Sequence, residues 1–417
     1  MKEYFQDVPM IKNAKHLIIF VLTLLLTIVG ITVQPQPTMS ETKNMTATQE
    51  IVKANNSFGF DVFSLLWKHN QQENIFISPS SMSFALSILY NGATGETARE
   101  MREVLHTKDL DLETINSQNQ TIRDILTNID PQVQLAIANS LWLKEGFSFQ
   151  AEFLNNNQTF YNAEISELDF SSTEAVVTIN NWVNENTAGK ISEIIDSIDP
   201  QEILFLINAV YFKGDWSYQF NPERTIARPF YLTDGQEVSA EMMSQMSDFN
   251  YLQTEYFQAI SLPYGETENL NMYIFLPSQE SNLDEFISLL NLENWQQWLA
   301  QMRSVEISIS LPKFKIEYEQ EMGDILRELG MQRAFSLQQA DFDAMTTQPV
   351  HVSNVKHKTF IEVNEEGTEA AAVTSIGVRQ TSLGPIMEVN RPFFYAIGER
   401  QTGTILFMGA MLNPTVE

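Results

Sequence analysis

The chain has 417 residues, 43% of them hydrophobic and 11% aromatic, and a formal net charge of -28. That much apolar material builds a large core, and the acidic excess excludes nucleic acid and anionic membrane surfaces, whose binding needs clustered Lys and Arg. There are no cysteines, which excludes disulfides, thiolate metal sites and Cys nucleophiles; a core of this size needs no covalent staples, so export stays open.

At the N-terminus, Lys2, Lys12 and Lys15 precede an uncharged apolar run over residues 17–33, and no Lys or Arg follows until Lys43. A basic flank before an apolar run directs the rest of the chain out of the cytoplasm. Residues 1–33 are therefore expected to be an export signal or an N-terminal membrane anchor. The run is longer than a signal core of about 7–15 residues and a little short of the roughly 20 that span a bilayer; cleavage is the favoured reading. The expected location is secreted or periplasmic, or membrane-anchored through residues 17–33 where the segment is retained. Residues 34–50 are polar, carry Pro35 and Pro37, and read as a disordered spacer. From 51 to 417 there is no long Gly/Ser or Pro-rich linker and no internal repeat, so this stretch is expected to be one domain.

Along that domain, Ser78-Pro79 marks a helix start, with a hydroxyl at the cap and proline in the first turn. Met82, Ala85, Leu86 and Leu89 follow on one helical face. Thr94 is placed to cap the next helix, with Met101, Val104 and Leu105 as its buried side. Val176, Ile179, Trp182 and Val183 recur at helical spacing before Gly189. Ile203 to Phe212 is a nearly continuous apolar run, which suits a strand covered on both faces. Val305, Ile307, Ile309 and Leu311 alternate with polar residues as in a half-buried strand. Phe393 to Ile397 and Thr404 to Met408 predict two more strands. Helices dominate early and strands late, so the class is α+β with large antiparallel sheets.

Catalytic chemistry has little to stand on. There is no Gly-x-Ser-x-Gly elbow, no His-Glu-x-x-His, no Walker loop and no Gly-x-Gly-x-x-Gly. Gly92-Ala-Thr-Gly95 mimics a phosphate loop, but no Lys-Ser/Thr pair follows it. No metal and no cofactor is expected, and the chain is not read as an enzyme.

The segment from 365 to 390 is unusual for a loop. Thr368, Ala370, Ala372, Thr374, Ile376 and Val378 occupy alternate positions, and all are small or apolar. The other set begins with Glu369 and includes Ser375 and Arg379. This is the period of a strand with one buried face. Gly367 supplies backbone freedom just before it, and Gly384-Pro385 marks a turn. The whole reads as a loop able to become a strand.

Asn364-Glu-Glu-Gly-Thr-Glu-Ala-Ala-Ala372 resembles the hinge of the serpins, a family of protease inhibitors. Asn390-Arg-Pro-Phe-Phe394 resembles the strand after their reactive loop, and Phe407-Met-Gly-Ala410 and Asn413-Pro414 resemble their C-terminal ending. Upstream, Asn74-Ile-Phe-Ile-Ser-Pro-Ser-Ser81 resembles the family's shutter segment and Asn91-Gly-Ala-Thr-Gly-Glu-Thr97 the turn that follows. Ile179-Asn-Asn-Trp-Val-Asn-Glu-Asn-Thr-Ala-Gly-Lys-Ile191 resembles the helix lying across the main sheet. Asn208-Ala-Val-Tyr-Phe-Lys-Gly-Asp-Trp216 resembles a central strand with its breach tryptophan, and Leu311-Pro-Lys-Phe314 and His357 also fit. The match runs from about residue 51 to the end.

The resemblance implies a single serpin domain over 51–417, with three β-sheets, eight or nine helices and an exposed reactive loop. It implies suicide-substrate inhibition of serine-type, or also cysteine-type, endopeptidases: the enzyme cuts the loop, and the freed loop inserts into the main sheet before the acyl-enzyme is hydrolysed. The hinge would be Glu365, Glu366, Gly367, Thr368, Glu369, Ala370, Ala371 and Ala372. Ser78, Ser81, Asn208 and His357 would form the shutter, and Trp216 the breach. In the family the reactive bond lies sixteen residues after the hinge glutamate and nine before the Asn of the next strand. Both counts land on Thr381, giving the bond Thr381-Ser382, with Arg379-Gln380 as the alternative. Threonine suits an enzyme with a small neutral pocket, elastase- or subtilisin-like. Residues 106–128 are poor in Lys and Arg, so no heparin-type polyanion is expected, and the protein is read as a monomer. The competing reading is a non-inhibitory serpin acting as a binding protein; a bulky, charged or proline-containing hinge would favour it, and the alternate positions Thr368, Ala370, Ala372 and Thr374 show none of these. An acidic exported hydrolase, the third possibility, lacks its motifs.

Overall fold

The computed structural model describes residues 39–368 and 384–416, with side chains from residue 46. The chain divides into two units, Met1–Thr46 and Ala47–Glu417. Helix α1 (Met39–His69) opens the described part, and Ile51, Phe58, Val62 and Leu66, at helical spacing, are buried. This corrects one expectation: the stretch 34–50, read as a disordered spacer, is helical from Met39 onward. Pro35 and Pro37 both precede the helix, and Glu41, Lys43, Met45, Ala47 and Glu50 are strong helix formers.

Strand β1 (Ile75–Ile77) leads into α2 (Pro79–Tyr90), every residue of which is buried. Pro79 fits a first turn, where its missing N–H costs nothing, and a helix enclosed on all sides belongs inside the core. Ser78 occupies the cap position, but its hydroxyl donates to the Leu406 carbonyl at 2.7 Å instead of capping. Thr94 likewise precedes α3 (Gly95–Val104) and gives its hydroxyl to Asp341. In both places the hydroxyl is oriented toward a distant acceptor and accepts no bond from the N–H groups of the helix's first turn. Helix α4 (Leu112–Thr127) is capped conventionally, Asp111 accepting from the Thr114 N–H at 2.7 Å.

Next in the chain come β2 (Val133–Lys144), α5 (Ala151–Tyr161), β3 (Glu164–Leu168), α6 (Thr173–Asn186) and β4 (Leu204–Asp215). The middle of the chain is mostly strand: β5 (Ile226–Tyr231), β6 (Glu237–Gln253), β7 (Phe257–Tyr264) and β8 (Leu270–Pro277). Two short helices, α7 (Leu283–Ser288) and α8 (Leu292–Gln301), precede β9 (Arg303–Pro312) and β10 (Phe314–Glu321). Helix α9 (Gly323–Leu329) is followed by β11 (Asn354–Val363) and the two-residue β12 (Gly367–Thr368). Three strands close the chain: β13 (Ile386–Glu388), β14 (Phe393–Glu399) and β15 (Ile405–Met411).

One sheet has six strands in the order β10-β11-β4-β2-β3, with β12 joined to β4. The other network has nine, in the order β1-β15-β14-β8-β7-β6-β9-β13, with β5 on β6. The three sheets expected are present in this form because β6, 17 residues long, pairs with β5 through its first residues and with β7 through its last. It thereby joins two of them into one hydrogen-bonded network.

Strand β4 explains its own apolar run. Leu204, Leu206, Val210 and Phe212 face the main core, which includes α2. Phe205, Ile207, Ala209 and Tyr211 face a second cluster with Ile179 and Val183 of α6 and with Ile191, Ile194 and Ile195 beyond it. A strand sandwiched this way needs apolar residues on both sides, and the single exception on the core side, Asn208, stands out.

Candidate functional site

The six-stranded sheet contains an unusual junction. Strands β4 and β11 run parallel and pair directly, from Phe205↔Asn354 to Tyr211↔Phe360. Beyond that point the chain turns back at residues 364–366, and β12 takes β4's edge antiparallel, with Thr368 opposite Gly214 and Gly367 opposite Asp215. One more strand laid antiparallel between β4 and β11 would replace a parallel pairing by two antiparallel ones, which are slightly more stable per residue.

A buried polar network lies under the junction. Asn208 is the cross-strand partner of both His357 and Asn139. The backbone N–H of Ser78 donates to His357 Nε2 at 3.1 Å, so the ring proton sits on Nδ1 and is donated to Asn208 Oδ1 at 2.6 Å. The Asn208 carboxamide then donates to Ser81 Oγ at 2.5 Å and to Asn139 Oδ1 at 2.6 Å. Both ring nitrogens are thus engaged by amides, and burial pushes the His357 pKa down to about 3. The imidazole is a neutral bridge between β4 and β11, with no free nitrogen to activate a nucleophile.

The turn into β12 is held at several points. The Trp216 indole donates to the Asn364 carbonyl at 2.9 Å, and its backbone N–H to that of Glu366 at 2.8 Å. Its ring stacks on Tyr264 with centroids 4.3 Å apart, and the Tyr264 hydroxyl meets Thr368 Oγ1 at 3.0 Å. Thr368 is fully buried. Gly367 has φ +155°, and a Cβ there would collide with the Gly214 carbonyl oxygen, so only glycine lets the chain approach β4 this closely. Glu365 accepts from Thr225 Oγ1 at 2.7 Å and pairs with Lys313 at 3.0 Å. Burial opposes ionisation of this carboxyl, but the bonds from Thr225 and Lys313 outweigh it and hold the carboxyl below its usual range.

A family model described as serpin, serine protease inhibitor, matches residues 53–414. The chain belongs to the serpin family. Serpin B6 of Pongo abelii is 38% identical over 375 residues, covering 87% of this chain and 99% of its own length. The leukocyte elastase inhibitor of Bos taurus is 34% identical over 381 residues, covering 88% and 100%. Among solved structures, human thyroxine-binding globulin superposes with a TM-score of 0.83 at 30% identity, covering 89% of this chain and all of that one. Native protease nexin-1 with heparin superposes with a TM-score of 0.81 at 28% identity, covering 88% and 100%. The family consists mostly of protease inhibitors and not of catalytic enzymes.

In this serpin, Ser78, Ser81, Asn208 and His357 come together in one network, while Trp216, Glu365, Glu366, Gly367 and Thr368 meet at the turn into β12. Glu369, Ala370, Ala371 and Ala372, both candidate bonds (Thr381-Ser382 and Arg379-Gln380) and the apolar run 17–33 lie outside the described residues. Sequence reasoning missed Asn139, although it is a polar residue set in the run Leu-Ala-Ile-Ala-Asn-Ser-Leu-Trp-Leu of 135–143, the same anomaly that marks Asn208. It also missed Thr225 and Tyr264, which carry no local signal, and named Lys313 only within the segment Leu311-Pro-Lys-Phe314, without its partner Glu365. Among the described residues no cluster of His, Cys, Asp and Glu could hold a metal ion.

Proposed function

We propose that this serpin inhibits serine-type endopeptidases by inserting its cut reactive segment, as a strand, between β4 and β11. The observation that carries the reading is β12: Gly367 and Thr368 already pair antiparallel with β4 at the head of the junction. Continued at that register, Ala370 would face Phe212, Ala372 would face Val210 and Thr374 would face Asn208. Small residues suit the first two positions. A hydroxyl at the third can accept from His357 and donate to Asn208, keeping the network whole once the strands part. Each added backbone hydrogen bond contributes roughly 0.5–1.5 kcal/mol net, so the inserted state lies downhill.

The proposed bond is Thr381-Ser382, with Arg379-Gln380 as the alternative, and the proposed targets have small neutral pockets. The bovine relative is a leukocyte elastase inhibitor, which supports that class. The basic flank and apolar run at residues 2–33 support export, with or without retention of the run as an anchor. Helix α4 carries a single basic residue, Arg123, whose guanidinium bonds the Phe160 carbonyl and Asp124; this supports action without a heparin-type polyanion.

The test is incubation with pancreatic elastase, subtilisin and trypsin, followed by boiling in SDS. A covalent complex surviving that treatment is the expected outcome; cleavage of the chain with no complex for any enzyme would overturn the reading. The likeness to thyroxine-binding globulin favours a second reading, a carrier that uses the fold to hold a small molecule. The two separate on heating: an inhibitor nicked within residues 369–383 should melt at a markedly higher temperature than the intact protein, and an unchanged midpoint favours the carrier.

A further inference from the structure

Four Asn-x-Ser/Thr triplets occur in the chain, at Asn44, Asn55, Asn119 and Asn157. Each has the form that accepts an N-linked oligosaccharide, and in an exported protein such a triplet belongs on the surface. The Asn44 side chain lies outside the described residues. The other three lie in the interior: Asn55 is 2% exposed, Asn119 1% and Asn157 0%. All three belong to one buried network that joins four helices. Asn55 Nδ2 on α1 donates to Asn119 Oδ1 on α4 at 3.2 Å. Asn119 Nδ2 donates to Ser87 Oγ on α2 at 3.2 Å and to the Tyr161 hydroxyl on α5 at 3.3 Å. Asn157 Nδ2, also on α5, donates to the Ile88 carbonyl at 3.3 Å, and its Oδ1 accepts from Asn91 Nδ2 at 2.9 Å. Tyr161 gives its own proton to Asn116 Oδ1 at 2.8 Å.

Sugar transfer is chemistry at the same nitrogen atoms. It forms a bond from Nδ2 to the first sugar, takes one of the two amide protons and releases the lipid diphosphate that carried the oligosaccharide. Asn119 Nδ2 uses both of its protons in the network, so it could keep only one of those bonds. At each of the three positions a branched, hydrated sugar would have to stand inside the helical layer, and a core packed at protein density has no room for it. The amide partners it displaced would be left buried and unpaired, at about 1–3 kcal/mol each. Transfer also precedes folding, because the transferase takes an extended chain, so the burial of these asparagines gives them no protection.

We propose that this chain folds only where no N-linked oligosaccharide transferase meets it unfolded, because Asn55, Asn119 and Asn157 are acceptors by sequence and core donors by structure. Joined to the export reading above, on which this second step rests, the inference selects a route across a bacterial-type membrane over passage through an endoplasmic reticulum.

The test expresses the full chain in a bacterium and, behind a signal for the endoplasmic reticulum, in a eukaryotic secretory cell. Wild type is compared with the triple variant Ser57→Ala/Thr121→Ala/Thr159→Ala, which destroys the three triplets and leaves every amide in place. Thr159 is exposed, and Thr121 donates within its own helix, to the Ser117 carbonyl at 2.9 Å. From the bacterium both chains should be folded and melt together. From the secretory cell, peptide mass spectrometry should find sugar on Asn55, Asn119 and Asn157 of wild type, with loss of the folded product, while the triple variant reaches the medium or the cell surface folded. Folded wild type from that cell, with sugar at these positions or with all three bare, overturns the proposal, and so does a triple variant lost alongside wild type. Fractionation of the bacterium reads the export step separately. Wild type found wholly in the cytoplasm overturns the export reading and the membrane route with it, while the comparison in the secretory cell still decides whether sugar and fold exclude each other.

Discussion

His357 Nδ1 donates to Asn208 Oδ1 at 2.6 Å across the parallel pairing of β11 with β4. The bond is made by a neutral ring held far below its ordinary pKa by burial, and this gives the junction a pH dependence. In the unfolded chain the imidazole takes a proton near pH 6.5; in the folded chain it does so near pH 3. Between those values the unfolded state binds more protons, so the stability from this group is fully present above about pH 6.5 and is lost as pH falls toward 3. The slope approaches about 1.4 kcal/mol per pH unit. Thermal melts between pH 6.5 and 5, above the range where ordinary carboxylates titrate, should show it, and His357→Gln should reduce it, leaving the part that comes from His351, whose pKa burial also lowers. A wild-type midpoint that does not move in that window contradicts the buried neutral ring.

Thr368 is the first inward-facing residue of the proposed inserted strand. Thr368→Arg forces a cation against Tyr264 in a fully buried position, at a cost of several kcal/mol. Thr368 is buried before the cut as well, so the variant should melt at a lower temperature than wild type and, where folded, be cut by the target enzyme and release it active in place of forming covalent complex. Gel densitometry of complex against cleaved chain measures the partition. Undiminished complex means that Thr368 does not face the sheet interior during insertion.

Glu365 and Lys313 fasten the turn that precedes β12. Glu365→Lys sets two ammonium groups against each other and should lower stability by about 1–3 kcal/mol. The exchange variant Glu365→Lys/Lys313→Glu should recover part of that loss, and the intrinsic fluorescence of nearby Trp216 should report the loosening. A double variant no better than the single one shows that the ion pair is not what the turn depends on.

The reactive bond can be read directly. Mass spectrometry of the peptide released from a covalent complex should give a new N-terminus at Ser382; one at Gln380 moves the bond to Arg379. Thr381→Arg should redirect inhibition toward trypsin-like enzymes, whose pocket requires a cation. Arg379→Ala should leave inhibition of elastase- or subtilisin-like enzymes nearly unchanged.

How much of the molecule is readable in its sequence depends on how local each signal is. The double-sided burial of β4 shows as an unbroken apolar run, and the alternation from Thr368 shows as a period of two, because side-chain direction in a strand repeats every second residue. Ser78 and Thr94 sit at helix starts as expected, yet their hydroxyls go to Leu406 and Asp341, partners hundreds of residues away that no window can contain. Glu365 also draws its cation and hydroxyl, from Lys313 and Thr225, beyond any local window. The helix through residues 39–50 was hidden differently: its composition is polar enough for a spacer, and only the absence of proline after Pro37 and the helix formers between Glu41 and Glu50 hint otherwise. The shutter residues were named through family likeness and not through pattern. Asn139 and Asn208 each break an apolar run, but a run alone does not reveal that the two interruptions are neighbours.

The pairing of β1 with β15 has a consequence for how the molecule is made. Asn74 fixes the backbone of Leu412 across 338 positions, and Ile75 to Ile77 pair with Met408 to Ala410. On a ribosome adding about 5–20 residues per second, that partner arrives on the order of 20–70 s later. Through that interval Phe76, which ends stacked between Tyr395 and Phe407, has neither ring to lie against. Residues 405–412 therefore act as the closing seam, and a chain truncated before residue 405 should stay open, protease-sensitive and dependent on chaperones.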